Sequence, residues 1–367
     1  MSTQVQLFGV IKLLLGTWKD DVRAQELLRQ NNNGKNYSKE DELNNGRSSG
    51  FVIDENLSIS KRAATSKRSS RAEDNSTAPP SPNEPASPGQ IDEKCDRLEE
   101  FINVSLTPVE CTIVCPTELV DMLFGRQLHL TGVQVLRDRY LAIQIDGDGL
   151  DTGSRVLGVS HPLSAARISI FFLATYFSDY MLVPETAMGR VRAALAEKGF
   201  IFSESANSYV STTYESPSLD YPSSMFDTHT THPHVDSSER LLLTGARSAD
   251  PLVTLAIVKT LVKQPKYFSV SNTSGELSFL VDYETSHEFP ENALLGSTTD
   301  FVIPVTLDLR GLPEDVTGIV SGVASKLLQQ SDNTNIINMS YLSTAKSGVV
   351  LIAEDNLKTA IDAFNDN

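Results

Sequence analysis

Residues 168–188 and 337–357 are two copies of one segment, and this repeat constrains the fold more than any other feature of the sequence. Thr175 of the first copy aligns with Thr344 of the second, and the offset of 344 − 175 = 169 holds through the block without a gap. A repeat of this length indicates one supersecondary unit used twice, and ligands often bind between two such units. The aligned pairs include Ile168 with Ile337, Leu173 with Leu342, Val183 with Ile352, Glu185 with Glu354, and Met188 with Leu357.

The composition narrows the class of protein. The chain has 367 residues, of which 40% are hydrophobic, and its formal net charge is −16 at pH 7. So acidic a chain is not expected to bind nucleic acid or an anionic membrane surface, because phosphate groups attract clusters of Lys and Arg. Membrane insertion is not expected either, because the sequence has no apolar run long enough to cross a bilayer. The three cysteines are too few for a disulfide framework and are typical of a cytoplasmic protein. Cys111 and Cys115 are expected to be buried on one face of a strand.

Around the first copy, the pattern of apolar residues predicts a ferredoxin-like βαββαβ unit. The same order is predicted around the second copy, without a clear last strand. Around the first copy the predicted strands are 140–146, 168–175, 180–183 and 200–204, and the predicted helices are 152–166 and 184–199.

The predicted fold class is α+β, with four ferredoxin-like units arranged in two halves. Residues 31–97 are poor in apolar side chains and rich in Asn, Ser, Pro and charge, so burial cannot offset the entropy of ordering them. We therefore predict a disordered insertion there. The predicted boundaries are 1–132 for the first unit, 133–205 for the second, 206–238 for a flexible linker, 239–296 for the third unit and 297–367 for the fourth.

The sequence offers no motif for catalysis or for a metal. It contains no G-x-S-x-G, P-loop, H-E-x-x-H or G-x-G-x-x-G pattern, so neither a catalytic residue nor a cofactor is predicted. His229, His232 and His234 lie in the Thr- and Pro-rich linker, which offers no rigid scaffold for zinc. The segment 146–151 begins like a calcium loop but lacks the Gly and Glu that an EF-hand requires.

A pair of matched dipeptides bears on ligand binding. Thr152-Gly153 and Thr317-Gly318 each open the first predicted helix of a unit, in the second and fourth units. Backbone N–H groups at the positive end of a helix suit a carboxylate, including that of an amino acid. The alternative is simple capping by the Thr side chain, which needs no ligand. We predict these four residues as ligand contacts.

The first copy of the repeat contains the motif T-Y-F-S-D-Y-M-L-V-P-E at 175–185. This motif and the order of the units resemble the ACT domains of the CASTOR family, the cytosolic arginine sensors that act upstream of the TORC1 growth kinase. Other similar segments are F-G-V-I-K-L-L-L near the start, N-V-S-L-T-P-V-E-C-T-I-V-C, and F-L-V-D-Y-E-T-S-H-E-F-P-E-N-A-L-L. The resemblance spans the chain outside the insertion and the linker.

The resemblance implies a site between the second and fourth units. Gly348 stands where the family has an acidic residue, so Glu314 and Asp315 are expected to supply the carboxylates, and the ligand is an amino acid that need not be arginine. The implied partner is GATOR2 or a similar SEA-type complex of the TORC1 pathway, and the family also implies a homodimer. The implied ligand contacts are Ser169, Ile170, Gly318, Ile319, Thr344 and Ala345, and the implied partner contacts are Tyr176, Phe177 and Asp179.

The leading hypothesis is therefore a non-enzymatic cytoplasmic sensor that binds an amino acid and regulates a partner. Two alternatives stay open. One is an interaction scaffold of ACT domains that binds no ligand. The other is a detached regulatory subunit of an amino-acid biosynthetic enzyme.

Overall fold

The computed structural model describes residues 57–61, 101–125, 133–145, 152–203, 233–247, 250–273, 276–313, 316–330 and 337–365. The strands are β1 Leu57–Lys61, β2 Ile102–Leu106, β3 Cys111–Val114, β4 Tyr140–Ile145, β5 Phe171–Ala174, β6 Asp179–Pro184, β7 Phe200–Ser203, β8 His234–Val235, β9 Leu241–Ala246, β10 Phe268–Thr273, β11 Glu276–Asp282, β12 Val302–Asp308, β13 Met339–Ser343 and β14 Ser347–Ala353. The helices are α1 Thr117–Phe124, α2 Thr152–Ala165, α3 Met188–Glu197, α4 Pro251–Lys263, α5 Tyr283–Ser286, α6 Ile319–Gln329 and α7 Leu357–Asn365.

The repeat folds as one hairpin-and-helix unit used twice. The hairpin β5–β6 corresponds to β13–β14, and each is followed by one turn of 3-10 helix and then by α3 or α7. Both hairpin turns are closed in the same way, because the Ser178 N–H donates to Thr175 Oγ1 at 3.1 Å and the Ser347 N–H donates to Thr344 Oγ1 at 3.1 Å. The offset of the sequence repeat is thus also the offset of the backbone.

Continuous apolar runs in the strands explain why the sheets are buried on both faces. In β6, Met181 and Val183 pack among residues of the helices, whereas Leu182 points to the opposite face and packs against another part of the sheet. Successive side chains of a strand point to opposite faces, so a continuous apolar run such as M-L-V fits a strand that is covered on both sides.

The two halves of the molecule are built in the same way. In one half, β5 of the second unit borders β13 of the fourth, with Leu173 opposite Leu342. In the other half, β2 of the first unit borders β10 of the third, with Val104 opposite Val270. The halves are joined where β9 meets β12. The strand order through the described residues is β3-β2-β10-β11-β9-β12-β14-β13-β5-β6-β4-β1-β7.

The two sheet halves pack face to face, with helices on their outer faces. Residues of both halves form a shared apolar layer between the sheets, where the rings of Phe101 and Tyr180 lie 4.9 Å apart. Separate apolar clusters lie beneath α2, α3, α6 and α7 on one side and beneath α1 and α4 on the other. The fold is α+β, as predicted. The number of complete units stays a prediction. Within 1–132 the structure describes three strands and one helix, and β1, one of those strands, pairs with the second unit.

The strand β1 lies inside the segment predicted to be disordered. It runs parallel to β4 and antiparallel to β7, so it separates the first and last strands of the second unit. A ferredoxin-like unit has those two strands as neighbours. The prediction of disorder over 31–97 was wrong for residues 57–61, because a composition averaged over the whole segment hides the short alternation L-S-I-S.

The strand β8 comes from the predicted linker. Residues 206–232 of the linker lie outside the described residues, but β8 pairs with β12, with Val235 opposite Val305. It therefore borders the first strand of the fourth unit, the place that a last strand takes in a ferredoxin-like unit. A two-residue strand has no periodicity for a sequence pattern to show.

The cysteines differ in exposure, contrary to the prediction. Cys115 is buried but Cys111 is exposed. Even spacing places two residues on one face only if both belong to the same strand, and β3 ends at Val114. Within the part of the chain that the structure describes, no helix has the length and apolarity that crossing a membrane would require.

Candidate functional site

The second and fourth units meet along a seam made by two helices and two strands. Helix α2 packs against α6, while β5 borders β13 in the sheet below. The Phe172 N–H donates to Ser343 Oγ at 2.9 Å across the strand boundary. Gly318 precedes α6 with φ +86°, a backbone conformation that glycine adopts without strain and other residues rarely do. The seam therefore carries the beginning of α6, where backbone N–H groups have no partner within the helix.

A cavity of about 40 Å³ lies at this seam. It is bounded by α2, by the chain leading into β5, and by the beginning of α6 with the residues before it. The lining residues are Ser160, Ser164, Ile168, Ser169, Ile170, Val316, Thr317, Gly318, Ile319, Val320 and Ser321. Five of the predicted ligand contacts line this one cavity, namely Ser169, Ile170, Thr317, Gly318 and Ile319.

Two hydroxyl groups of the lining have no hydrogen-bond partner among the described residues. They are Oγ of Ser160, which is 2% exposed, and Oγ of Ser321, which is 1% exposed. A buried polar group left without a partner costs about 1–3 kcal/mol, so such groups in a folded protein call for an explanation. Hydroxyl donors beside the positive end of a helix form an arrangement that binds a carboxylate.

The cavity lining contains serine, threonine, glycine and branched apolar side chains, and within the described residues it contains no charged side chain. The predicted carboxylates Glu314 and Asp315 lie outside the described residues. At Gly348, a Cβ atom would lie 2.1 Å from the Tyr341 Oη. Tyr341 therefore fills the space that a side chain at position 348 would need.

Four of the predicted ligand contacts lie elsewhere. Thr152 and Gly153 begin α2 but do not line the cavity. Thr344 and Ala345 lie in the β13–β14 turn, where the Ala345 N–H donates to Thr112 Oγ1 at 3.3 Å. The prediction placed them by their motif position at the end of a strand that borders the seam. That turn instead projects onto the first unit, so it does not reach the beginning of α6.

The predicted partner residues divide into two kinds. Tyr176 is 37% exposed and Phe177 is half-buried, and their rings meet edge to face with centroids 5.1 Å apart. Both rings lie against Gly245, because a Cβ there would come within 2.7 Å of Tyr176 and 2.8 Å of Phe177. The Tyr176 N–H also donates to Ser278 Oγ at 3.2 Å. This hairpin turn is therefore docked on the third unit and still exposes part of Tyr176.

Asp179 is buried and does not form part of the exposed surface. It is 2% exposed, and its Oδ2 accepts from Nε of Arg155 at 2.5 Å. Burial raises the pKa of Asp179, and the charge and hydrogen bond of Arg155 act in the opposite direction. The prediction that Asp179 contacts a partner does not fit this position, because the side chain is already used in an internal ion pair.

The sequence analysis missed Ser160, Ser164 and Ser321, which supply hydroxyl groups to the cavity. A signal for them was present. Ser160 and Ser164 are four residues apart in α2, as are Ser321 and Ser325 in α6, and this spacing places each pair on one face of its helix. Two helices with matching stripes of small polar residues were candidates to face one another.

Comparisons with known proteins match the two segments on either side of the cavity. Residues 135–197 and 297–366 each match the family model of the ACT domain, and these are the two segments that flank the cavity. The human protein named cytosolic arginine sensor for mTORC1 subunit 1 is 26% identical over 225 residues, which cover 55% of this chain and 66% of that protein. The mouse protein of the same name is 26% identical over 223 residues, covering 55% and 65%. The chain thus spans just under two thirds of these relatives.

Solved structures give weaker likenesses. An aspartate kinase from Synechocystis covers 72% of this chain and 49% of its own at 12% identity, with a TM-score of 0.28. A Vibrio cholerae protein of unknown function, described as a possible transport protein, covers 36% of this chain and 85% of its own at 12% identity, with a TM-score of 0.26.

The two matched segments have the α+β fold of an ACT domain. The chain is similar to the proteins named cytosolic arginine sensor for mTORC1 subunit 1, at 26% identity over 55% of its length.

Proposed function

We propose that this protein is a cytoplasmic, non-enzymatic regulator that binds an amino acid between its second and fourth units. The observation that carries the proposal is the cavity at the seam of the two ACT segments, with the unpaired hydroxyls of Ser160 and Ser321 in its wall. The names of the relatives, which describe cytosolic sensors and not enzymes, support the same class of function.

The fold offers a route from this cavity to the surface. Ser169 and Ile170 line the cavity, and β5 runs from them directly to the turn that holds Tyr176 and Phe177. A ligand that contacts the start of β5 would bias the position of this turn on the third unit. A ligand shifts an equilibrium between two states only if it binds one state more tightly than the other. Here the two states would be the turn docked on the third unit and the turn displaced from it.

The proposed partner is a complex of the TORC1 pathway, such as GATOR2 or a similar SEA-type assembly. The word mTORC1 in the names of the relatives motivates this choice. The exposed face of Tyr176 beside Phe177 is the proposed contact. The buried ion pair of Asp179 lies beneath this surface and would hold the hairpin in shape without touching a partner.

Isothermal titration calorimetry of the full chain with each of the common amino acids at millimolar concentration tests the proposal. We expect saturable heat with at least one of them, and loss of that heat in Ser164→Leu, whose larger side chain would fill the cavity. If no amino acid binds, the sensing function fails. Recovery of a partner complex in that case would favour the ligand-free scaffold, and co-purification with a biosynthetic enzyme would favour the detached regulatory subunit.

A further inference from the structure

A second cavity, of about 10 Å³, lies between the two sheet halves, beside the turn that carries Tyr176 and Phe177. We propose that this interlayer cavity binds one water molecule, and that the water couples a buried hydrogen-bond network of the first and third units to that turn. The importance of the turn for a partner rests on the proposed function, whereas the water site does not.

A row of small residues crosses the sheet of the third unit beneath the turn. Asn103 of β2 lies opposite Ser271 of β10, which lies opposite Ser278 of β11. Ser278 in turn lies opposite Gly245 of β9. The turn docks on the last two of these residues, because the Tyr176 N–H donates to Ser278 Oγ and its ring lies against Gly245. The row therefore connects the border of the first and third units with the place where the turn docks.

The hydrogen bonds of Asn103 decide which way the neighbouring hydroxyl groups point. Its Nδ2 donates to Oγ of Ser269 and to Oγ of Ser271, each at 3.0 Å. Its Oδ1 accepts from Ser105 Oγ at 2.8 Å. Because the Ser105 proton is used in this bond, Ser269 is the donor in the 2.9 Å bond between Ser105 and Ser269. The proton of Ser269 is thus also used, and the proton of Ser271 is not.

Two hydroxyl protons are left for the interlayer cavity. Ser271 Oγ accepts from Asn103 and Ser278 Oγ accepts from the Tyr176 N–H, but within the described residues no hydrogen bond uses the proton of either serine. Ser271 is 5% exposed and Ser278 is 4% exposed. Buried polar groups in folded proteins are paired with protein or with ordered water, so these two donors call for an acceptor.

The interlayer cavity has the size and the polar groups that one water molecule needs. About 10–15 Å³ of such volume holds one buried water, which typically makes about three hydrogen bonds. A water here can accept from Ser271 and Ser278 and donate to Ser269 Oγ, which lines the same cavity and keeps a free lone pair. The wall from the other sheet half is apolar and consists of Ala174, Leu342 and Leu351.

The water makes Ser271 a positioning residue for the turn. Within the described residues Ser271 makes no hydrogen bond to the turn, whereas Ser278 holds the Tyr176 N–H. A water that accepts the Ser278 proton keeps a lone pair of Ser278 Oγ directed at this N–H. Ser271 helps to hold the water in place, so its hydroxyl acts on the turn through the water and Ser278.

A crystal structure of the full chain, at a resolution that shows ordered water, tests the water site. We expect electron density for one water molecule within hydrogen-bond distance of the hydroxyls of Ser269, Ser271 and Ser278. In crystals of Ser271→Ala the density should be lost or displaced. Wild-type crystals without density in the interlayer cavity would overturn the water site.

Hydrogen exchange of the full chain tests the coupling to the turn. Ser271→Ala should speed exchange of the Tyr176 amide by about two- to tenfold, the range expected for loss of one hydrogen bond. Ser278→Ala should speed it more, because this change also removes the acceptor of that amide. Thr273→Ala is the matched control, since Thr273 is buried two residues further along the same face of β10 and does not line the interlayer cavity. Whatever its effect on Tm, it should leave exchange of the Tyr176 amide unchanged.

The two measurements fail in different ways. Unchanged exchange of the Tyr176 amide in Ser271→Ala would overturn the coupling. An equal increase in Thr273→Ala would also overturn it, because the change would then reflect a general loosening of β10. Neither measurement uses an amino acid or a partner protein. Failure of every amino acid to bind would therefore end the proposed function and leave the water site standing.

Discussion

The hairpins β5–β6 and β13–β14 share a sequence repeat and a turn, but they dock on the rest of the molecule in different ways. The first hairpin places the rings of Tyr176 and Phe177 on the bare backbone of Gly245. The second hairpin docks through its backbone, as the N–H groups of Ala345 and Lys346 donate to side chains of the first unit. One contact is mainly apolar and the other is polar.

The hairpins also differ beneath their turns. At the offset of the repeat, Phe172 and Asp179 of the first hairpin correspond to Tyr341 and Gly348 of the second. In the first hairpin, the ring of Phe172 has no hydroxyl group and position 179 carries a buried carboxylate. In the second hairpin, the ring of Tyr341 has a hydroxyl group and position 348 has no side chain. The hydroxyl group of Tyr341 occupies the place where a side chain at 348 would begin.

The two hairpins show which features of the repeat are the same in both copies. The backbone and the turn hydrogen bonds are the same in both copies because the strand register and the Thr–Ser turn depend on local sequence. The buried polar groups are not the same, because each must fit a different neighbour. The seam between the two units is therefore asymmetric, and its open cavity lies at α6 and not at the start of α2.

The largest expected effect is from removal of Arg155. In Arg155→Ala the carboxylate of Asp179 stays buried without its cation, which should cost about 3 kcal/mol of unfolding free energy near neutral pH. Burial already raises the pKa of Asp179, and loss of Arg155 should raise it further. The folded variant then binds a proton more readily than the unfolded chain, so its stability falls as pH rises. Urea titrations should therefore show a smaller loss near pH 5 than near pH 7.

A second variant isolates the charge. In Arg155→Ala combined with Asp179→Asn, no carboxylate remains to titrate at this place, so the difference between the two pH values should disappear. An equal loss of stability at both pH values in Arg155→Ala would contradict the assignment of the effect to the carboxylate of Asp179.

The next largest effect tests the second hairpin. Gly348→Ala would place a methyl group 2.1 Å from the Tyr341 hydroxyl oxygen and should cost about 2 kcal/mol through overpacking. Tyr341→Phe removes that oxygen, so the double variant should recover a large part of the loss. Thermal unfolding of the two single variants and the double variant gives the coupling energy.

Gly189→Ala is the control for this substitution. Gly189 lies in α3, and no atom lies within 4 Å of the position that its Cβ would take. Alanine is the better helix former, so this change should stabilise the protein by about 0.5–1 kcal/mol. Additive effects of Gly348→Ala and Tyr341→Phe would show that the ring and the glycine do not depend on each other.

The sequence predicted the repeated hairpins and part of the site because those features depend on local patterns. The strands around Thr175 and Thr344 and the beginning of a helix at Gly318 follow from alternation, turn residues and a helix-start dipeptide. The docking of the β13–β14 turn on the first unit could not be predicted, because it depends on how distant parts of the chain fold together. The unpaired hydroxyls of Ser160 and Ser321 depend on packing across two helices.

A smaller effect is expected where the first hairpin docks on Gly245. Gly245→Ala would bring a methyl group within 2.7 Å of Tyr176 and 2.8 Å of Phe177, but these are side-chain atoms that can shift. The expected cost is about 1 kcal/mol, at the low end for overpacking. The displaced Tyr176 should also be more exposed, which its fluorescence can report relative to Tyr176→Phe. Unchanged stability and fluorescence would mean that the two rings dock equally well when position 245 carries a side chain.

The smallest effect should come from the polar contact between the second hairpin and Thr112 of the first unit. In Thr112→Ala the N–H of Ala345 loses its acceptor, a 3.3 Å bond in an exposed place where water can replace it. We expect a loss of about 0.5 kcal/mol, below that of Gly245→Ala, because a bond replaced by water contributes little. Thr112→Ser keeps the acceptor oxygen and should show no loss. If Thr112→Ala instead destabilised the protein more than Gly245→Ala, the polar contact of the second hairpin would contribute more stability than the apolar contact of Tyr176 and Phe177.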